Sequence, residues 1–382
     1  MREILLPLPG RDQSYRICLS PGLRLRLGQI LAPIKLPPRL FVVSDRRVAR
    51  LHGGPVLQAL ARDGYAPDLL TVSPGERAKT WAVAQRLARE LLARGAHRGS
   101  ALVALGGGVV GDLTGFLASI FMRGVALIQV PTSLLAMVDA AIGGKTAINL
   151  PAGKNLLGTF HQPRLVAIDP EFLETLPRAE FLNGLAEVVK AGFIRDAVLL
   201  ERLAAGAARL GRDREELAEI IYRAAAIKAE IVAADEREED RRRILNFGHT
   251  LGHGLEQASH YRLPHGRAVA AGMAAALRLS EKLAGLPPEE ARWGWALIKD
   301  LGFTRNLPDL DPGAVLTALS LDKKRREDGL VFVLLRRLGE PVVQEKVPLH
   351  LVAEVLGEIM GGGGQGQKAT YNPSPKPPPS TP

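Results

Sequence analysis

Four of the eight histidines, His249, His253, His260 and His265, fall within 17 residues of a 382-residue chain. Imidazoles clustered in this way suit a metal ion or proton transfer. His249 and His253 are four apart in Asn246-Phe247-Gly248-His249-Thr250-Leu251-Gly252-His253. On a helix they share one face and offer either two metal ligands or one ligand and one base. Thr250 stands where a zincin carries its catalytic Glu, which excludes that class. Glu187 and Lys190 are three apart in the apolar stretch Gly184-Leu185-Ala186-Glu187-Val188-Val189-Lys190, where a buried carboxylate needs a cation or a metal. Lys228 continues the stripe Leu217, Ile221, Ala224, Ile231, so it projects from a core-facing side, either snorkelling to solvent or meeting an anion.

A second group of residues suits phosphate. The run Ala101 to Leu105 leads into Gly106-Gly107-Gly108-Val109-Val110-Gly111-Asp112, a G-x-G-x-x-G at a strand-to-helix junction. Its amides can meet a pyrophosphate at the positive end of the helix, or its glycines can serve close packing alone. About 20 residues on, where an ordinary dinucleotide fingerprint has its ribose-binding acid, stands Pro131. The acid that ends a strand is Asp45, ahead of the loop. Between Asp139 and Asn155 lie Gly143-Gly144-Lys145-Thr146 and Gly153-Lys154-Asn155, glycine for access and lysine for charge. Asp139 replaces the first Gly of a Walker A loop, so this reads only as an anion-binding loop.

The elements that must position these groups follow from periodicity. From about 39 to 170, short β-rich runs (Leu40 to Val43, Ala101 to Leu105, Val125 to Val130) alternate with amphipathic ones such as Trp81 to Arg94. That alternation predicts a mostly parallel, Rossmann-like α/β sheet covered on both faces. From about 178 to 358 the spacing turns helical, as in Glu215 to Ala234 and Ala268 to Leu286, and predicts an all-α domain. The expected division is residues 1–177, 178–360 and a Gly/Pro-rich, disordered tail at 361–382 with nothing to bury. Ser73-Pro74-Gly75-Glu76 reads as a capping box that starts a helix, and Pro131-Thr132-Ser133 as a second helix start.

Composition narrows the function. With 46% apolar and 24% charged residues the chain is globular, and no apolar run is long enough for a membrane span. The N-terminal apolar run is broken by Pro7 and Pro9, too early for a secretory signal, so a cytoplasmic protein is expected. A single cysteine, Cys18, leaves any metal to His and carboxylate ligands. The net charge of +10 is carried by 37 Arg and 13 Lys without a basic block, which favours a small anionic substrate over nucleic acid.

In this order and combination the motifs resemble the 3-dehydroquinate synthase family, sugar-phosphate cyclases of the shikimate pathway. The likeness runs from about Asp45 to Lys324 and includes Val130-Pro131-Thr132-Ser133, Val138-Asp139 and His265-Gly266 besides the segments above. It implies an NAD-binding α/β domain, a helical domain, a cleft between them and a homodimer. The implied zinc ligands, with Co2+ as a possible substitute, are Glu187, His249 and His265, which moves His253 to the substrate. NAD would be held by Asp45, Glu76, Lys79, Gly108, Val109, Val110, Gly111, Asp112, Thr132, Ser133, Lys145, Lys154, Thr175 and Glu180. Substrate would meet Arg123, Asp139, Lys145, Asn155, Lys190, Lys228, Arg242, Asn246, His253 and one of Lys323 and Lys324.

The implied substrate is a small sugar phosphate, 3-deoxy-D-arabino-heptulosonate 7-phosphate, which accounts for the scattered cationic residues. Hydride passes to NAD to give a ketone, phosphate is eliminated, hydride returns, and ring opening with an intramolecular aldol closure gives 3-dehydroquinate. No nucleic acid or membrane partner is implied. Two departures stand out: Ser133 where Thr is common, and the run Phe121-Met122-Arg123-Gly124. The rival readings are a cyclitol-forming cyclase, a metal-dependent polyol dehydrogenase and a noncatalytic anion-binding protein.

Overall fold

The computed structural model describes residues 1–8, 14–206, 213–303, 310–324 and 330–361, without the side chains of 320–324, 360 and 361. Of the expected tail at 361–382, Gly361 ends the helix Leu349–Gly361, and the rest, like one flank of the Lys323 and Lys324 segment, lies outside the described residues. Contacts divide the chain into two units, Met1–Gly184 with Gly211–Glu238, and Leu185–Leu210 with Glu239–Pro382. The helix Arg214–Ala234, which periodicity assigns to the helical half, groups with the first unit.

The described residues of the first unit include nine strands: β1 (Arg2–Leu6), β2 (Tyr15–Leu19), β3 (Arg39–Asp45), β4 (Ala66–Val72), β5 (Ala101–Gly106), β6 (Ala126–Pro131), β7 (Lys145–Leu150), β8 (Gly153–Phe160) and β9 (Leu165–Ile168). Seven of them form one sheet in the order β1-β2-β9-β6-β5-β3-β4, parallel except for β1. Central strands buried on both faces read as unbroken apolar runs, as β5 does with every residue buried. The helices Trp81–Ala93 and Gly108–Ile120 contribute Leu87, Leu91, Leu113 and Leu117 to the core against Phe41, Val43 and Leu102 of the sheet.

Strand order locates the ligand edge. The chain passes from β3 to β4 on one side, then returns to place β5 on the other side of β3. In a parallel sheet such a switch point leaves a crevice at the carboxyl ends of the strands. Asp45 ends β3, Gly106 ends β5 and Pro131 ends β6, and Gly106 pairs with Pro131. This explains an acid that precedes the glycine loop in sequence: the neighbour of β5 is the earlier strand β3.

Two local expectations are corrected. The capping box does not form: Gly75 takes φ 84°, Glu76–Ala78 is a short 3-10 turn, and the helix starts at Trp81. Thr80, extended at φ −130°, is the N-cap and accepts from the Val83 amide. Ser-Pro-Gly-Glu fails as a cap because the left-handed Gly75 turns the chain before a helix can propagate. Most of the segment Asp139 to Asn155, expected as a loop, lies in the antiparallel hairpin β7–β8, Lys145–Phe160. β-branched Thr146 and Ile148, with Thr159 opposite Thr146, favour pairing over an open loop. Ser133 does start a helical turn, its hydroxyl accepting from the Ala136 amide at 3.4 Å.

Among its described residues the second unit is helical with one hairpin, β10 (Phe332–Arg337) and β11 (Glu340–Gln344), which the all-α expectation omits. Phe332-Val333-Leu334-Leu335 is a short apolar run, and Gly339 at φ 89° supplies the turn. Its core joins Leu251, Leu255, Leu279, Val315, Leu334 and Val355. The helices His249–Ala258 and His265–Leu283 cross in direct backbone contact: a Cβ on Gly272 would stand 1.9 Å from the Gly248 carbonyl oxygen. Only glycine permits that approach, which sets the start of the first helix against the second about two turns in from His265; the His249 and His265 ring centroids lie 5.5 Å from one another.

Candidate active site

At the switch point of the first unit, polar groups form one connected network. Lys79, its side chain 3% exposed, donates to Asp112 Oδ2 at 2.6 Å and to Asn155 Oδ1. Asn149 donates to Glu76 Oε2 at 2.8 Å and accepts the Asn155 amide at 2.9 Å. The Asn149 amide in turn donates to the Lys79 carbonyl at 2.7 Å. Asn149 escaped the sequence reading, because only the β7–β8 hairpin brings it opposite Glu76. Burial pushes the Asp112 carboxyl up to about 6, with Lys79 opposing and the negative charges of Glu76 and Asp139 adding to the rise.

The glycine loop faces the same edge. Gly107 is the side-chain-free cap of the helix Gly108–Ile120, whose first turn holds Gly108, Val109, Val110 and Gly111. Amides at such an end carry partial positive charge. Thr132 is buried beyond β6, and Ser133 Oγ lies 3.3 Å from where a Gly107 Cβ would be. Asp45 Oδ1 accepts the Arg47 and Val48 amides at 2.8 and 3.0 Å, which fixes its carboxylate beyond β3.

The remaining expected groups of this unit are distributed more widely. Lys154 stands exposed on β8. Thr175 bonds His52 Nε2 at 2.8 Å and donates to the Phe172 carbonyl, while Glu180 accepts from Asn183 at 3.3 Å. Arg123 is exposed in a turn where Met122, Arg123 and Gly124 have φ of 50°, 68° and 119°. Two non-glycine residues in left-handed geometry cost on the order of 1–2 kcal/mol each.

Two lysines are held by carboxylates. Lys228, buried on the helix Arg214–Ala234, ion-pairs with Asp139, which sits in a π-helical turn Ala136–Ala140. The stripe that carries Lys228 therefore delivers its charge to a partner. Lys145, at the start of β7, ion-pairs with Glu238, a residue with φ 61° that sequence reasoning missed. Glu238 belongs to the acidic run Asp235 to Asp240, which reads as solvated surface until the fold is known.

The second unit holds a compact Glu–His–His cluster. The ligand atoms of Glu187, His249 and His265 all lie within 4.8 Å of one another. Glu187 Oε1 is 3.5 Å from Nε2 of each histidine. Both carboxylate oxygens are buried, and Lys190 ion-pairs with Oε2. The other ring nitrogens are occupied: His249 Nδ1 lies 3.3 Å from the Phe247 carbonyl, and His265 Nδ1 3.3 Å from Glu256 Oε2. Each imidazole thus turns Nε2 toward Glu187.

Burial alone would raise the Glu187 carboxyl, but Lys190 first and then the two imidazoles hold it well below the ordinary range. Burial and the Lys190 charge push His249 down to about 3. For His265 burial acts downward, and the carboxylates of Glu187 and Glu256 outweigh it, raising the imidazole to about 10. His253, one turn beyond His249 and exposed, stands with its ring 5.4 Å from the His249 ring and outside the cluster. Of the two histidines four apart, only His249 belongs to the cluster among the described residues. Arg242 is 1% exposed and Asn246 half-buried, both in the 3-10 segment Arg241–Asn246. Lys323 and Lys324 end the helix Pro312–Lys324, and their side chains lie outside the described ones.

The chain has the fold of sugar-phosphate cyclases. It superimposes with a TM-score of 0.84 on a 2-deoxy-scyllo-inosose synthase complexed with carbaglucose-6-phosphate, NAD+ and Co2+, at 26% identity over 94% of this chain and 99% of that one. The same TM-score relates it to a 2-epi-5-epi-valiolone synthase from Streptomyces hygroscopicus with NAD+ and Zn2+ bound, at 29% identity, covering 92% and 98% of the two chains. An iron-containing alcohol dehydrogenase, 13% identical with a TM-score of 0.66, shares the fold alone. Family models of the 3-dehydroquinate synthase N-terminal and C-terminal parts match residues 69–183 and 184–325. A 3-dehydroquinate synthase of Synechococcus sp. is 44% identical over 94% of this chain and 99% of its own length. One of Thermodesulfovibrio yellowstonii is 41% identical over 91% and 98%. The chain belongs to the 3-dehydroquinate synthase family.

Proposed function

We propose that the chain converts 3-deoxy-D-arabino-heptulosonate 7-phosphate into 3-dehydroquinate and phosphate, with NAD and zinc as resident cofactors and cobalt able to replace zinc. The observation that carries this reading is the buried Glu187 carboxylate, ion-paired with Lys190 and faced by two Nε2 atoms at 3.5 Å, its ligand atom and theirs all within 4.8 Å of one another. One carboxylate and two imidazoles fit a catalytic zinc site, which keeps coordination positions for substrate. When bound, the metal would polarise substrate hydroxyls, and NAD would accept and return one hydride.

The chain's own groups have the following work. Glu187, His249 and His265 hold the metal. Asp45, Glu76, Lys79, Gly108 to Asp112, Thr132, Ser133, Lys154, Thr175 and Glu180 hold NAD, the glycine turn presenting amides to its pyrophosphate. Arg123, Lys145, Lys190, Lys228 and Arg242 neutralise the carboxylate and phosphate of the substrate. Asp139 orients Lys228, and Glu238 holds Lys145 until an anion exchanges for it. Asn155 and Asn246 orient hydroxyls, and His253 moves protons to and from substrate oxygen. One of Lys323 and Lys324 completes the anion contacts.

A carboxylate-reading site discriminates among sugar phosphates. The heptulosonate phosphate is expected to give equal amounts of phosphate and dehydroquinate, while glucose 6-phosphate, which lacks the carboxylate, releases none. Phosphate release from glucose 6-phosphate alone would make the chain a cyclitol-forming cyclase instead.

The titration of the cluster gives a separate expected result. At neutral pH Glu187 is ionised and His249 already neutral, whereas His265 at about 10 still carries its proton. Zinc must displace that proton. Uptake by the metal-free protein is therefore expected to release about one proton, with apparent affinity rising roughly tenfold per pH unit between about pH 6 and 8. Calorimetry in buffers of different ionisation enthalpy counts the proton. A pH-independent affinity would contradict the assigned protonation.

A further inference from the structure

We infer that Glu256 is a positioning residue for the metal centre: it fixes the orientation of the His265 ring and strengthens it as a ligand. This rests on the reading of Glu187, His249 and His265 as metal ligands.

Glu256 lies seven residues after His249 on the helix His249–Ala258, two turns along and on the same face. That helix therefore supplies a ligand from its first turn and an acid from its last. The acid is buried, 7% exposed, and its Oε2 is 3.3 Å from Nδ1 of His265. His265 opens the next helix, His265–Leu283, and its Nε2 faces Glu187 Oε1 at 3.5 Å. The ring is thus held from both sides, by one carboxylate inside the cluster and one outside it. A neutral imidazole has one N–H, and an acceptor at Nδ1 keeps the proton there and leaves the Nε2 lone pair for a metal. A carboxylate in that place also adds electron density to the ring, which makes Nε2 a better donor, and outer partners of this kind are typically worth 10–100-fold in metal affinity.

His249 is treated differently, with a neutral backbone carbonyl, that of Phe247, at its Nδ1. The two histidines are therefore unequal ligands, and the charged acceptor serves the more exposed one: the His265 side chain is 31% exposed, against 13% for His249. A ring nearer solvent has more freedom to rotate and needs the stronger tether.

The test uses metal-free parent, Glu256→Gln and Glu256→Ala proteins, titrated with zinc against a chromophoric chelator and, separately, with Co2+ while recording its visible absorption. Glu256→Gln keeps the shape and an acceptor oxygen but loses the charge; Glu256→Ala loses both. The zinc Kd is expected to weaken about 10–100-fold in Glu256→Ala and by less in Glu256→Gln. The cobalt band is expected to shift in both, with circular dichroism of the metal-free proteins unchanged. If Glu256→Ala does not fold, the near-isosteric Glu256→Gln decides. Zinc binding within twofold of the parent, or weaker binding with a parental cobalt spectrum, overturns the inference, the second because lost packing weakens binding without altering the ligand field. A parent protein that takes up no zinc overturns the metal reading itself, and this inference with it.

Discussion

Glu187→Gln is expected to leave the protein without zinc and to lower phosphate release at least about 1,000-fold. The carboxylate is the buried member of the cluster, and an amide oxygen carries neither the charge nor the electron density that a zinc ligand needs. The same change strips Lys190 of its ion-pair partner inside the protein. Breaking a buried pair from one side costs about 3–5 kcal/mol, so a lowered melting temperature accompanies the lost activity. With Glu187 neutral, the strongest upward influence on His265 disappears, and its imidazole falls from about 10 toward the ordinary range. Metal analysis, turnover and histidine NMR titration read the three consequences. Stoichiometric zinc with parental turnover in this variant would remove Glu187 from the centre.

Lys79→Met is the second large effect, and its pH dependence is the informative part. Lys79 is the buried cation against Asp112, so its removal leaves a carboxylate inside the protein with no opposing charge. In the parent the folded-state pKa of Asp112, about 6, lies above its ordinary 3.8. The folded form then holds the proton more tightly than the unfolded chain does. The stability this contributes is complete below about pH 4 and lost as the pH rises through about 6. Without Lys79 the folded-state value rises further, so the loss extends to higher pH. Urea denaturation of the NAD-free protein is expected to show a deficit of about 3–5 kcal/mol at pH 8 and a much smaller one at pH 5. Adding Asp112→Asn should return part of it at pH 8. A deficit equal at both pH values would mean that Lys79 acts through packing, not through its charge. NAD affinity is expected to fall in the same variant, because the network that joins Glu76, Asn149, Asn155 and Asp112 is built around Lys79.

These residues also show where sequence pattern suffices. The parallel strands and their helices were readable because burial on one or both faces imposes a period, as in Ala101 to Leu105 and Glu215 to Ala234. Chemistry confined to one helix was readable too: Glu187 with Lys190, and His249 with His253, are fixed by 3.6-residue geometry. What pairs across the fold was not. Lys228 on its stripe gives no hint of Asp139, 89 residues earlier, and the acidic run around Glu238 gives none of Lys145. Asn149 and Glu256 are single polar residues whose roles depend on a hairpin register and a helix crossing. The failed capping box makes a complementary point: Ser-Pro-Gly-Glu satisfies the side-chain rule, but one glycine at positive φ redirects the backbone, and the helix waits for Thr80.

The most direct measurement is phosphate release from the heptulosonate phosphate in the presence of NAD, with reduced-cofactor absorbance followed in the same cuvette, before and after chelation. The expected result is stoichiometric phosphate with no accumulation of NADH, abolished by the chelator and restored by zinc. NADH accumulating in step with substrate loss, without phosphate, would mark a polyol dehydrogenase on the same fold and contradict the cyclase assignment.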